Sequence, residues 1–304
     1  MNWKSLSLRL HRWLALAFAA PLFFVIVSGL LLSVEPLLQH SAASSLVSQE
    51  ALLRHLQRHD AEGKATGLSI RAYDGTLLIA GAGPEGEVEV DLRTGEEVTD
   101  DRPWSLPEMF RTARQLHEHL LIDQYWLVTT STVAMLVLAL IGVAMGWPRM
   151  RNTLGGWHAT SAWVLLPLAL LVPLTGLALS FGITFASPPT RQPAERLPIV
   201  DAVKLLAAER DLSGLTSLRL RGGRLIARIY DQQSLQSVGV TKAGLQLNPT
   251  NWPRALHEGN WHALIGSTLN LLASILFAGL WLTGLLIWGR RKLRKRARLR
   301  TQTV

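Results

Sequence analysis

Residues 254–258 read Arg-Ala-Leu-His-Glu, and an uncharged, largely apolar stretch follows them up to Gly289. Residues 114–118 read Arg-Gln-Leu-His-Glu and also lead into a long apolar run. Because residues three apart share one face of a helix, each segment presents a cation and an imidazole together. The two segments therefore predict two helices with the same arrangement just before the membrane.

A second similarity links two other parts of the chain. His11 is followed eighteen residues later by Gly29-Leu-Leu-Leu-Ser, and His158 is followed eighteen residues later by Gly176-Leu-Ala-Leu-Ser. Together, the two similarities predict a tandem duplication with histidines at matching places in both copies.

Four uncharged stretches can each supply the roughly 20 apolar residues that cross about 30 Å of hydrocarbon. They are Trp13–Val34, Gln124–Pro148, Asn152–Thr190 and Gly259–Gly289. The first is longer than the apolar part of a usual signal peptide, which favours an uncleaved span. The expected fold is an α-helical membrane bundle of four transmembrane helices from a parallel tandem repeat, with two small α+β modules outside.

This organisation divides the chain into spans, two outer modules and cytoplasmic segments. The expected boundaries are 1–36 (first span), 37–115 (outer module 1), 116–148 (second span), 149–157 (cytoplasmic loop), 158–186 (third span), 187–253 (outer module 2), 254–289 (fourth span) and 290–304 (basic tail).

The distribution of charge predicts the orientation. The net charge is +9, and the tail from Gly289 holds eight Lys or Arg and no acid, which leaves 23 basic against 22 acidic residues elsewhere. The loop between the second and third spans is also basic, so both termini are expected in the cytoplasm. The tail is interpreted as a topology anchor that contacts membrane lipid, and nucleic acid is not an expected partner.

Both outer segments have the same coarse pattern of one helix followed by three strands. The first has a helix at 49–58 and strands at 67–73, 76–80 and 87–92. The second has a helix at 200–210 and strands at 215–221, 224–230 and 237–246. Units of this size have little core of their own, so each is expected to depend on its partner or on the membrane helices.

The duplication predicts how the four histidines pair. A pseudo-two-fold axis along the membrane normal sets His11 opposite His158 near the cytoplasmic face, and His117 opposite His257 near the outer face. Ionisable residues bordering spans are functional when they face the bundle interior. Imidazole binds several metals, but the chain has no cysteine, and a structural zinc site needs four protein ligands. Haem needs only two axial ligands from the protein, which favours haem here.

Arg12, Arg114 and Arg254 lie close to these histidines and are predicted to bind haem propionates, or alternatively to extend to the membrane surface. His119 points to another helix face than His117. His262 has no histidine counterpart in the first half, where Ile122 stands. Both are interpreted as residues that touch substrate or border the outer site, whereas His40, His55 and His59 are expected to be solvated.

Short segments across nearly the whole chain carry a family resemblance. They are Leu10-His11-Arg12-Trp13-Leu14, Leu116-His117, Trp157-His158, Leu256-His257-Glu258-Gly259, Thr283-Gly284-Leu285 and Trp288. In this order and spacing the chain resembles the PepSY-associated transmembrane family. The outer segment around Val90-Asp91-Leu92-Arg93-Thr94-Gly95-Glu96 is similar to its PepSY modules.

The resemblance implies a protein of the bacterial inner membrane that reduces ferric siderophores in the periplasm. It implies two haem b groups, an inner one held by His11 and His158 and an outer one held by His117 and His257. The expected function is thus a ferric chelate reductase supplied by a separate electron donor, either a cytoplasmic reductase or quinol. The alternative is a non-redox membrane scaffold whose PepSY modules bind a partner protein or peptide.

Overall fold

A computed structural model describes residues 3–42, 46–98, 105–186, 197–231 and 234–301. Parts of both outer segments and the end of the basic tail lie outside these residues. The helices are Trp3–Ala17 (α1), Ala19–Ser41 (α2), Gln49–His59 (α3), Leu106–His119 (α4), Tyr125–Ala144 (α5), Leu154–Val164 (α6), Leu166–Ser180 (α7), Ile199–Glu209 (α8), Trp252–Glu258 (α9) and Ala263–Thr301 (α10). The strands are Gly67–Arg71 (β1), Thr76–Ala80 (β2), Glu87–Asp91 (β3), Leu215–Arg221 (β4), Arg224–Asp231 (β5), Ser234–Thr241 (β6) and Gly244–Leu247 (β7).

Three of the described helices are long and apolar enough to cross a membrane. They are α2, α5 and α10. A fourth span is formed if α6 and α7, which meet at a bend of 67°, count as one. The described residues therefore contain three or four spans of a multi-pass membrane protein. The first span begins at Ala19, whereas the uncharged stretch in the sequence begins at Trp13.

Prolines explain where two apolar runs are interrupted. Pro21 is the third residue of α2, and Pro167 is the second residue of α7. Proline has no backbone N–H to donate, but in the first turn of a helix that donor has no partner within the helix. The chain therefore ends one helix and starts another just before each proline, so that His11 and His158 lie on the separate helices α1 and α6.

The seven strands form one antiparallel sheet in the order β3-β2-β1-β4-β5-β6-β7. The two outer segments meet in its middle, where Leu68 of β1 pairs with Leu218 of β4. The prediction of three strands in the second segment was wrong. The run 237–246 turns after Thr241 and returns as β7, which pairs with β6.

One face of the sheet carries the core of the outer domain. Strand residues such as Leu68, Ile79 and Leu218 are fully buried there, together with Leu56 of α3 and Leu206 of α8. The two helices lie side by side over the two halves of the sheet. A single core thus spans both outer segments and gives each a support that neither could supply alone.

Candidate functional site

The outer histidine pair is assembled by two short helices next to the membrane. His117 is near the end of α4 and His257 near the end of α9, and their ring centroids are 6.1 Å apart with an interplanar angle of 43°. The helix α4 packs on α2, and α9 packs on α7. The structure therefore brings together the two histidines that the sequence predicts to face each other.

Each of these rings is held by the same two groups of the helix beneath it. His117 Nδ1 lies 3.0 Å from the Val25 carbonyl oxygen and 3.1 Å from Ser28 Oγ. His257 Nδ1 lies 3.1 Å from the Val172 carbonyl oxygen and 3.2 Å from Thr175 Oγ1. A carbonyl oxygen only accepts, so Nδ1 must carry the proton and donate it.

The hydroxyl groups agree with this tautomer. Ser28 Oγ donates to the Phe24 carbonyl oxygen at 2.6 Å, and Thr175 Oγ1 donates to the Leu171 carbonyl oxygen at 2.8 Å. With their protons used in this way, both hydroxyl oxygens accept from the imidazoles. Nε2 of each ring is left with a free lone pair, the state in which histidine binds a metal.

Glycine allows both rings to approach the helix closely. A Cβ atom on Gly29 would lie 3.1 Å from His117 Cε1, and one on Gly176 would lie 3.1 Å from His257 Cε1. Such contacts are tighter than ordinary van der Waals packing. A larger residue at either position would push the imidazole away from its carbonyl and hydroxyl partners.

The inner pair lies on the helices that precede the two prolines. His11 of α1 and His158 of α6 have ring centroids 6.4 Å apart and planes at 89°. His158 Nδ1 lies 2.8 Å from Thr283 Oγ1, whose own proton goes to the Gly279 carbonyl oxygen at 2.6 Å. This hydroxyl therefore accepts from His158, and the Nε2 lone pair is again free.

His11 is held less firmly than the other three. Its Nδ1 is buried and has no hydrogen-bond partner in the part of the chain that the structure describes. The backbone of Leu138 on α5 lies close to the ring. None of the described side-chain hydroxyls accepts a hydrogen bond from His11 Nδ1. The inner pair therefore has one anchored ring, His158, and one weakly held ring, His11.

The two pairs lie at different depths of the bundle. Phe23 of α2 contacts Trp281 of α10, with ring centroids 5.0 Å apart. The outer pair contacts Ser28, which lies five residues after Phe23 on α2. The inner pair contacts Thr283, which lies two residues after Trp281 on α10. Because the two helices are antiparallel, these two displacements point in opposite directions along the bundle and add up. Seven residues of helical rise place the pairs about 10 Å apart along the bundle axis.

Ion pairs fix the short helices against the outer sheet and the first span. Arg114 of α4 contacts Glu35 of α2 at 2.6 Å. Glu258 of α9 contacts Arg228 of β5 at 3.1 Å and Arg254 at 3.5 Å. These contacts join α4 to α2 and α9 to the sheet, so the outer domain helps to position His257.

A polar chain extends the contacts of α9. Asn260 donates through Nδ2 to Glu258 Oε2 at 2.9 Å, and its Oδ1 accepts from the Tyr230 hydroxyl at 3.3 Å. Burial raises the pKa of Tyr230 to about 12, so the hydroxyl keeps its proton and remains a donor. Gly259 follows the last residue of α9 and has a φ of 74°, a conformation that favours glycine. It therefore ends α9 two residues after His257.

The predicted arginines have different surroundings. Arg114 and Arg254 already pair with carboxylates, as described above, and each remains partly exposed. Arg12 is exposed, and its guanidinium carbon lies 5.7 Å from the centre of the Trp13 ring. Only Arg12 of the three has no carboxylate partner among the described residues.

The remaining histidines fall into two groups. His119 packs edge-on against Tyr125, His262 lies beside Trp261, and Nδ1 of both is buried without a partner among the described residues. Their contacts do not join them to the outer pair. His55 is 5% exposed and contacts the Leu92 carbonyl oxygen, and the His59 side chain is 6% exposed and contacts the Gly95 carbonyl oxygen.

The prediction that His55 and His59 are solvated was therefore wrong. Both lie on the face of α3 that contacts the turn after β3. The leucines of α3 alone do not reveal that this face is buried. His40 is also not free in solution, because its ring lies 5.7 Å from that of Tyr230.

The sequence analysis also missed the hydroxyl groups that hold the imidazoles. Ser28, Thr175 and Thr283 each stand directly before a glycine that is followed by leucine. The signal was thus present as a hydroxyl-Gly-Leu step within a membrane helix, one for each anchored ring. The same step at Thr66 and at Ser213 lies in the outer segments and holds no imidazole of the described residues.

The family model described as PepSY-associated TM region matches residues 8–291 of the chain. The chain belongs to this family. No curated protein matches it.

The histidine pairs of this PepSY-associated TM protein can be compared with what a shared metal ion requires. A metal bound by two imidazole nitrogens on opposite sides, at about 2.0–2.1 Å each, separates the ring centroids by about 6 Å. Both observed separations have this magnitude, and three of the four rings have Nδ1 protonated and Nε2 free. The residues present therefore fit axial ligation of haem iron.

A metal site made only of protein ligands has no comparable support. No group of three or more His, Cys, Asp or Glu side chains that could hold a metal ion occurs within the described ranges. The donors come as pairs, so a metal bound here would need further ligands, which a porphyrin supplies in haem.

Proposed function

We propose that the protein is a membrane electron-transfer protein that binds two haem b groups and reduces ferric chelates, including ferric siderophores, on the outer side. His117 and His257 would hold the outer haem, and His11 and His158 the inner one. The observation that carries this proposal is that the two histidine pairs have ring separations of about 6 Å, with Nε2 free in three of the four rings. Haem bound at these positions would accept and donate single electrons.

The halves of the chain are proposed to be tandem repeats. In support, the contacts of α2 with α4 correspond to those of α7 with α9, and those of α1 with α5 correspond to those of α6 with α10. The anchors of the outer rings also correspond, because in each half a carbonyl and the hydroxyl three residues later hold Nδ1. A parallel repeat would give both halves the same orientation in the membrane.

The proposed location is the inner membrane of a bacterium, with both termini in the cytoplasm. The basic segment at the end of α10 supports this orientation, because residues 290–298 are exposed, hold seven Lys or Arg and have no acid. Lipid contact follows from the apolar spans. In this orientation the sheet and the outer histidine pair face the periplasm.

The protein's own residues would do the positioning. The carbonyl and hydroxyl acceptors keep Nδ1 protonated and orient the rings, and the apolar bundle excludes water between the two depths. Each ferric ion takes up one electron and becomes ferrous, and the electron comes from a quinol or a cytosolic reductant. A quinol would supply two electrons and release two protons, which is enough for two ferric ions.

Absorption spectra of the purified protein, oxidised and dithionite-reduced, test the proposal. Wild type should show low-spin b-type haem. His117→Ala and His158→Ala should each remove part of the signal from a different pair. His119→Ala is the matched control, because it lies two residues from His117 on the same helix and should leave the spectrum unchanged. An unchanged spectrum in all four variants of the paired histidines would rule out the haem assignment.

The same experiment separates the alternatives. A colourless protein that tolerates substitution at His158 and His257 would favour a non-redox scaffold in which the outer domain binds a protein or peptide. If haem is present, reduction by quinol in membranes compared with reduction by cytosolic flavin reductants identifies the class of electron donor.

A further inference from the structure

The open face of the outer sheet, opposite its core, contains a groove of about 380 Å³. Residues of β1, β2, β3 and β4 line it. It lies at the Gly67 end of β1, whereas the other end of β1 contacts Gln39 of α2. Small-ligand sites have volumes of roughly 300–1,000 Å³, so the groove is large enough for a small molecule. Neither the sequence analysis nor the proposed haem sites involve it.

The register of the sheet explains why a groove forms there. Glu87, Ala80, Gly67 and Arg219 are paired in a row across four strands. The two central residues have almost no side chain, whereas the outer two are long and charged. The floor is therefore low at Ala80, whereas the Arg219 side chain lies across Gly67, where an added Cβ atom would be 3.3 Å from Arg219 Cγ. Three strand spacings separate the backbones of the two outer strands by about 14 Å.

Arg219 forms the positive wall. Its Nε and Nη2 donate to Ser69 Oγ at 3.1 and 2.5 Å, which fixes the guanidinium against β1. Among the described residues it has no carboxylate partner. Glu87, on the opposite wall, is too far away to neutralise it.

Other arginines surround Arg219. Partial desolvation and repulsion from Arg228, Arg114, Arg221 and Arg71 lower its pKa. The positive charge of three of these neighbours is neutralised by a carboxylate. The ion pairs are Arg71–Glu89, Arg114–Glu35 and Arg228–Glu258. The charge of Arg219 is not, so the groove has a positive end that an anion would neutralise.

The location connects this positive end with the outer histidine pair. Arg114 is one helical turn before His117 on α4, and Arg228 contacts Glu258, the residue after His257. A ligand at Arg219 would thus lie on the side of the sheet that faces the helices of the outer pair.

We propose that this groove binds the substrate through its negative charge, and that the preferred substrates are carboxylate-bearing, anionic ferric chelates. Arg219 binds the carboxylate, Ala80 leaves room for the body of the chelate, and Glu87 repels a second anion at the far wall. This inference rests on the proposed function for the identity of the substrate, whereas anion binding by the groove does not.

Binding of ferric citrate to the intact protein in nanodiscs, measured by calorimetry, tests the proposal. Arg219→Gln should weaken binding roughly 10- to 100-fold, because a charge-assisted hydrogen bond to a carboxylate is lost. Glu87→Gln should strengthen it. A ferric trihydroxamate without negative charge should bind more weakly than ferric citrate and should be insensitive to Arg219→Gln.

Arg54→Gln is the matched control, because Arg54 lies on α3 over the other face of the sheet and is paired with Glu50. It removes the same charge from the same domain and should leave citrate binding unchanged. Equal affinity of wild type and Arg219→Gln for ferric citrate would overturn the proposal, as would an equal loss in Arg54→Gln.

The haem spectrum of the same samples separates the two proposals. A normal spectrum with binding that does not depend on Arg219 refutes the groove and leaves the proposed function intact. A colourless protein whose citrate binding depends on Arg219 refutes the haem assignment and supports an anion site in the groove.

Discussion

The outer and inner histidine pairs have similar ring separations but are held differently. In the outer pair, a carbonyl and a hydroxyl hold each ring, glycine lies beneath it, and ion pairs join its helix to neighbouring elements. In the inner pair, Thr283 holds His158, and His11 has no comparable partner. The outer site is therefore preorganised by the sheet as well as the bundle, whereas the inner site depends on the bundle alone.

The largest effect is expected from a side chain inserted beneath an outer ring. Gly29→Val would place its Cβ 3.1 Å from His117 Cε1 and add two methyl groups to that contact. We expect a loss of about 1–3 kcal/mol in the free energy of unfolding and of the outer half of the haem absorbance. Gly279→Val on α10 is the control, because a Cβ there meets nothing within 4 Å. Equal effects of both variants would contradict the close packing of His117 on α2.

A smaller effect is expected from the ion pairs that only the outer site has. Glu258→Gln leaves Arg228 and Arg254 without their carboxylate, and the free energy of unfolding should fall by about 1–2 kcal/mol. Chemical denaturation in detergent measures it. Glu50→Gln, whose partner Arg54 is exposed, should change little. If the two variants are equally stable, the contact between sheet and α9 does not support the outer pair.

Part of this difference between the pairs could be predicted from the sequence. Similar segments around His117 and His257 predict their pairing, because equal spacing from a span places side chains at equal depth. The joint sheet could not be predicted, since pairing of β1 with β4 joins residues about 150 positions apart. The role of Arg219 was also hidden, because only the strand register shows that it stands in one row with Gly67, Ala80 and Glu87.

The hydroxyl partners sharpen the comparison. Thr283→Val removes the hydrogen-bond partner that His158 Nδ1 has among the described residues and should cost about 1–2 kcal/mol, because a buried donor is left unsatisfied. Thr175→Val removes one of two partners of His257, and the Val172 carbonyl remains, so about 1 kcal/mol or less is expected. The measurement is the midpoint of thermal unfolding of both variants. A larger loss in Thr175→Val would contradict the view that the outer rings are doubly anchored.

Acidification should weaken the outer domain. Burial lowers the pKa of His55, although the Leu92 carbonyl opposes this shift, and the unfolded value is about 6.5. Between the lowered pKa and about 6.5 the unfolded state binds more protons, so the stability present above that value is lost as pH falls. The protection factors of the β3 amides, which are corrected for the pH dependence of intrinsic exchange, should fall between pH 7.5 and 5.5. His55→Gln should reduce this fall, and an unchanged pH dependence would contradict the assignment to His55.

The smallest expected effect is a gain at the inner pair. In both outer anchors the hydroxyl stands three residues after the carbonyl that holds the ring, as Ser28 follows Val25 and Thr175 follows Val172. Three residues after Leu138, whose backbone lies close to His11, stands Ile141. Ile141→Thr would therefore give His11 Nδ1 an acceptor.

The new hydrogen bond should contribute up to about 1 kcal/mol, partly offset by the methyl group lost from the side chain. Retention of the inner haem absorbance on heating measures the gain, and Ile141→Val is the control because it removes a methyl group without adding a hydroxyl. The threonine variant should retain more absorbance than the valine variant. If both behave alike, the missing hydroxyl does not explain the weaker hold on His11, and the difference between the two pairs must come from the ion pairs of the outer domain.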